Sequence, residues 1–149
     1  MNIENPTFNQ REAALEKHRQ DMIRKMAVLM HKEWRAKRVK DDGTYEPRPK
    51  QTQDKIWIKK NGKTEVDIAN TEFSELPLDW QEENLLSAKV AIEKMEDVLN
   101  IVHDKWLDRN DSFAQPQQKT QFSRLSGPEK AKDIAILREA IEIMEEDIK

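Results

Sequence analysis

The chain has 149 residues, of which 36% are hydrophobic and 37% charged, with a net charge of −3. That is the length of one domain with a thin supply of core side chains, and the charge is too nearly balanced to demand a polyanionic partner. There is no cysteine, which excludes disulfides and thiolate-held metals, and no apolar run approaches the roughly 20 residues that cross a bilayer.

The opening segment MNIENPTFNQREA has no apolar signal core, so we expect a cytoplasmic protein without a membrane partner. Asn5-Pro6-Thr7 reads as a helix start with Thr7 as cap, and Ile23, Ala27, Met30 and Trp34 form one apolar stripe. This spacing predicts a first helix over roughly 8–39. Gly43, Pro47 and Pro49 then forbid regular helix. Asn61-Gly62 lies between two β-prone runs, 55–60 and 63–68, and predicts a hairpin, since both residues tolerate positive φ. Pro77, Leu78 and Asp79 announce a second helix reaching Arg109, with a seam of Leu85, Ala88, Ile92, Met95, Leu99, Val102 and Trp106. A break near Glu96-Asp97 would suit this length. Asn110 to Thr120 reads as loop, and Ser126-Gly-Pro-Glu129 as a capping box. The last helix is expected over about 128–147, with Ile134, Leu137, Ile141, Met144 and Ile148 on one stripe.

Charge is uneven along the chain. Residues 11–64 carry sixteen Lys/Arg against eight acids, and 65–100 carry two against ten. Two such stretches neutralise one another side by side, or the basic one faces an anionic partner.

The chain also repeats itself. Phe73–Met95 and Phe122–Met144 align 49 positions apart without a gap and share seven residues. Asn84 then matches Asp133. Upstream, His31-Lys-Glu-Trp34 matches His103-Asp-Lys-Trp106. Two units follow, about 20–95 and 97–147, within a single compact domain over 1–149. The Trp-to-Phe interval is 39 positions in the first and 16 in the second, and the hairpin accounts for much of the difference. We therefore expect a mainly α fold: two tandem helical-hairpin units sharing a long middle helix, with one small β-hairpin inserted in the first.

His31-x-x-Trp34-x-x-x-Arg38 followed by Gly43-Thr-Tyr45 resembles the start of the ryanodine receptor repeat (RyR) domain. Phe122-x-x-Leu125-x-x-x-Glu129-Lys130-x-x-Asp133 resembles that family's later part. The second unit has no Gly-Trp-x-Tyr turn, its Arg109 comes one position early, and the first unit has Trp80-Gln81 in place of Glu-Lys. The resemblance spans about two thirds of the chain in two partial matches. It implies a helical repeat without catalytic activity, serving in the channels as a cytosolic module for domain contacts and in bacterial copies as a candidate ligand-binding module.

The expected function is a non-enzymatic binding or protein-interaction module. Its partner would be a protein or a small anion, with no cofactor and no metal, and homo-oligomers are allowed. The candidate surface comprises His31, Trp34, Arg38, Tyr45 and Arg48, with His103, Trp106, Arg109, Glu129, Lys130 and Asp133 in the second unit. An alternative is nucleic-acid binding through Lys37, Arg38 and Lys40 at a helix end and Lys59, Lys60 and Lys63 around Trp57. A further alternative, a metal-dependent phosphohydrolase using His31, His103-Asp104 and Asp133, conflicts with the duplication. His31 and His103 are equivalent positions, and packing beside a Trp explains both.

Overall fold

The computed structural model describes residues 7–148. The protein is mainly helical with one small two-stranded antiparallel sheet. Its described helices are α1 (Phe8–Ala36), α2 (Lys55–Asn61), α3 (Leu78–Asn110) and α4 (Gly127–Ile148), and its strands are β1 (Pro49–Gln51) and β2 (Glu65–Asp67). Two compact units divide the chain at Ile92/Glu93. No described helix is long and apolar enough to cross a membrane.

In the first unit, α1 starts where the sequence predicts. Thr7 Oγ1 accepts from the Gln10 backbone N–H at 3.2 Å, and Gln10 Oε1 accepts from the Thr7 N–H at 2.8 Å. This reciprocal cap satisfies donors that the first helical turn leaves unpaired. Asn5 and Pro6 lie outside the described residues. The helix buries Ile23, Ala27 and His31, four residues apart, and the first two share a core with Val66, Phe73, Leu76 and Ala88. Such spacing keeps one face turned inward. Trp57 and Trp80 pack against the same core from its edge.

The predicted hairpin exists, but its arms differ. Residues 55–61 are helical rather than extended: the Asp54 carboxylate caps them, accepting from the Ile56 and Trp57 N–H groups at 3.1 and 3.2 Å. Gly62 ends that helix at φ 69°. The left-handed conformation that a glycine supplies in a hairpin turn serves here as a helix C-cap. The first arm is instead β1 from the proline-rich connector, in register Pro49↔Asp67, Lys50↔Val66 and Gln51↔Glu65. The second Asp54 oxygen accepts from the Leu78 N–H at 2.8 Å, so one carboxylate joins the starts of α2 and α3.

In the second unit, Leu99, Phe122 and Leu125 form the buried core, with Leu137 packed against it. This core is smaller than the first. Of the predicted stripe of α4 only Leu137 packs on this core, while Ile134, Ile141, Met144 and Ile148 are exposed. Ser126 Oγ lies 3.4 Å from the Glu129 N–H, but the Glu129 carboxylate turns to Gln118 and Lys132 rather than closing the box. The segment 111–120 is loop with one 3-10 turn, Pro116–Gln118, and Asn110, expected in the loop, ends α3.

Candidate ligand-binding cleft

The same local arrangement occurs in both units. Phe73–Glu75 and Phe122–Arg124 are 3-10 turns that bury Phe73 and Phe122. Leu76 and Leu125 follow in matching extended conformations, at φ/ψ of −64°/149° and −67°/154°. His31 is buried, its ring stacked on Trp34 with centroids 5.8 Å apart, and Nε2 lies 2.8 Å from the Thr71 carbonyl. His103 is buried likewise, 6.3 Å from Trp106, with Nε2 2.8 Å from the Gln118 carbonyl. A carbonyl only accepts, so Nε2 carries a proton in each. The His-x-x-Trp pairs thus place their histidines in the core, where each holds the loop that leads into the Phe turn.

The two histidines differ at Nδ1. His103 Nδ1 is 3.1 Å from Asp133 Oδ2, and that buried oxygen has no other hydrogen-bond partner among the described residues. With Nε2 protonated, the contact becomes a hydrogen bond only when a further proton sits on Nδ1 or on the carboxyl. In the first unit the matching residue is Asn84. Burial pushes the His31 pKa down; the bond to the Thr71 carbonyl opposes this, and the Arg35 charge adds to the lowering.

On the open side of Trp34, the first unit forms a cleft of about 340 Å³. Arg38, one turn beyond Trp34 on the chain, lays its guanidinium over the indole at 4.3 Å. Arg48 and Lys50 come from the connector and β1, and Trp80, Glu83 and Asn84 from the first turns of α3. Lys50 Nζ lies 5.9 Å from the Trp80 ring centre, and the Trp80 indole N–H donates to the Gln51 carbonyl at 2.9 Å. The Arg48 backbone is pinned on both sides, its N–H donating to Asp67 Oδ1 at 2.9 Å and its carbonyl accepting from Ile68 at 3.0 Å. Burial opposes ionisation of Asp67. The N–H of Arg48, the Asn70 amide and the N–H groups of Asn70 and Ala69 outweigh it, and its pKa is lowered. None of Arg38, Arg48 and Lys50 forms an ion pair among the described residues. A larger hollow of about 550 Å³ lies beside α2, where Lys60 and Lys63 face Asp54, Asp67 and Glu75, so its charges are mixed.

The expected surface is therefore brought together only in part. His31, Trp34, Arg38 and Arg48 share the cleft. Tyr45 does not line it. Its ring lies 4.3 Å under Arg35, and its backbone exchanges hydrogen bonds with the Asn70 amide at 3.1 and 3.0 Å. Tyr45 braces the connector. In the second unit the residue four after Trp106 is Asn110, which donates to the Trp106 carbonyl at 2.9 Å, while Arg109 is exposed. Lys130 Nζ lies 5.8 Å from the Phe122 ring centre, Glu129 accepts from Gln118 at 3.1 Å, and Asp133 faces His103. Of the nucleic-acid set, Lys37, Lys40, Lys59, Lys60 and Lys63 are exposed. Trp57 is half-buried on the first core and donates to the Glu75 carbonyl at 3.2 Å. Among the described residues no group of three or more His, Asp or Glu is placed to hold a metal ion.

Lys50, Trp80 and Glu83 were not among the residues expected at the site. Trp80 stood out in the sequence only as a departure from the family pattern, and Lys50 only as part of the basic stretch. Their place depends on pairing between segments distant in the chain. Comparison with protein-family models, curated proteins and solved structures finds no match to this chain.

Proposed function

We propose that the protein is a cytoplasmic, non-enzymatic binding module made of two RyR-like units, of which the first carries the ligand surface and the second is structural. The observation that carries this reading is the cleft beside Trp34: three cations without carboxylate partners among the described residues, with Arg38 over the Trp34 ring and Lys50 beside Trp80. Charges on one cleft wall repel one another, and an anionic ligand relieves that repulsion. The absence of an Arg four residues after Trp106 supports the division of labour.

A thermal-shift screen of small anions and acidic peptides tests it. A ligand at about 100 times its Kd stabilises by about 2.7 kcal/mol, so at least one class should raise the Tm of the wild type by about 5 °C or more. Arg38→Ala should keep the wild-type circular dichroism and lose that shift. A screen in which nothing moves the wild type, or in which Arg38→Ala responds equally, refutes the proposal.

A further inference from the structure

We propose that the cleft takes the phosphate group of a small, soluble phosphate monoester; this rests on the cleft being a ligand site. The charge count points to a dianion. Arg38, Arg48 and Lys50 come from three segments and line one hollow with a single carboxylate, Glu83. Two of them are placed in the absence of a ligand, Arg38 by Trp34 and Lys50 by the β1–β2 ladder and Trp80, while Arg48 has its backbone held by Asp67 and Ile68 and its side chain exposed. Cations set in place beforehand, as Arg38 and Lys50 are, lose little freedom on binding, which favours a compact, highly charged group over a flexible peptide. A guanidinium matches two oxygens of a phosphate through parallel N–H bonds, whereas a lysine acts as a point charge. Arg38 Nε is buried with no acceptor among the described residues, a cost that the folded protein carries until an oxygen is brought to it.

Glu83 and Asn84 define the rest of the ligand. A carboxylate on the wall repels additional charge and accepts from hydroxyl groups. The amide of Asn84 both donates and accepts. A carrier bearing hydroxyls next to its phosphate meets both, and a cleft of about 340 Å³ is at the small end of ligand sites.

The test is calorimetric titration of the full chain at ionic strength matched with sodium chloride, using inorganic phosphate, glycerol 3-phosphate, acetate and phosphatidic acid vesicles. Glycerol 3-phosphate should bind tightest, inorganic phosphate more weakly, and acetate not measurably. Arg38→Ala should weaken glycerol 3-phosphate by about 10- to 100-fold. The exposed Arg48→Ala, whose backbone contacts remain, should weaken it several-fold with unchanged circular dichroism. Glu83→Gln should tighten inorganic phosphate and shrink the preference for the glycerol ester. Equal binding by the Arg variants, or no phosphate binding above the chloride control, overturns the assignment. Binding confined to vesicles overturns the soluble ligand in favour of a lipid headgroup. If acetate or a peptide perturbs the Trp34 and Trp80 indoles while the phosphates do not, the phosphate assignment fails and the cleft stands.

Discussion

The first unit sets Arg38 on Trp34 and Asn84 on the cleft wall; the second has Asn110 in the place of Arg38 and Asp133 in the place of Asn84. Around these exchanges the local architecture is alike: buried His, stacked Trp, a carbonyl held at 2.8 Å, and a 3-10 turn that buries a Phe. The difference teaches that the His-x-x-Trp latch is structural in both units. What one unit does and the other does not must come from the residues that vary around it. In the first unit those are cations facing an open cleft; in the second, a carboxylate turned inward against the histidine.

The comparison is most severely tested through the Phe turns. Phe73→Ala and Phe122→Ala each remove a buried ring, and each should cost about 3–5 kcal/mol in urea denaturation. The second core has fewer members, so Phe122→Ala should release Trp106, which fluorescence reports, at a lower urea midpoint than Phe73→Ala releases the tryptophans of the first unit. Equal midpoints would mean that the two units do not differ in core strength. Next in size is Asp133→Ala, which leaves His103 Nδ1 without its partner and should cost about 1–3 kcal/mol. Asp133→Asn, which copies the first unit, should restore most of that because an amide can either donate to Nδ1 or accept from it.

The smallest effect is on pH. The folded His31 pKa lies below its ordinary value of 6.5. Between the two values the unfolded chain binds a proton that the folded one does not, so stability is complete above about pH 6.5 and falls as pH drops through and below it. The slope should stay under about 1.4 kcal/mol per pH unit and vanish in His31→Gln. Asp42, Asp54 and Asp67, with lowered pKa values, contribute stability above their ordinary 3.8 that is lost only in stronger acid, which separates the two windows. A flat stability profile in wild type from pH 7 to 5 would count against a buried neutral His31.

Much of this was legible in the chain because it is local. The Thr7 cap, the i, i+4 stripe of α1 and the start of α4 depend on neighbours within one or two turns, and Pro77 marks the start of α3 even though the carboxylate that caps it, Asp54, is distant in the chain. The hairpin shows where locality misleads. Lys55–Asn61 is rich in β-prone residues, but Asp54 caps a helix there and Gly62 ends it, and Asn-Gly fits a helix end as well as a hairpin turn. β1 has only three residues and gains its conformation from a partner sixteen positions away on average. The candidate site divides along the same line. Trp34 and Arg38 sit one turn apart and were readable, whereas Lys50, Trp80 and Glu83 reach them only through the tertiary fold. The pairing of Asn84 with Asp133 was visible in the repeat, yet its meaning, a carboxylate beside His103 Nδ1 in one unit alone, required the geometry.

The most direct test of the central claim uses the four tryptophans as reporters. Their indole N–H signals, followed by nuclear magnetic resonance during titration with glycerol 3-phosphate, separate the units in one experiment. The Trp34 and Trp80 signals should shift and saturate together, while Trp106 stays in place. Movement of Trp106 to the same extent, or no movement of Trp34 and Trp80, would contradict a ligand cleft confined to the first unit.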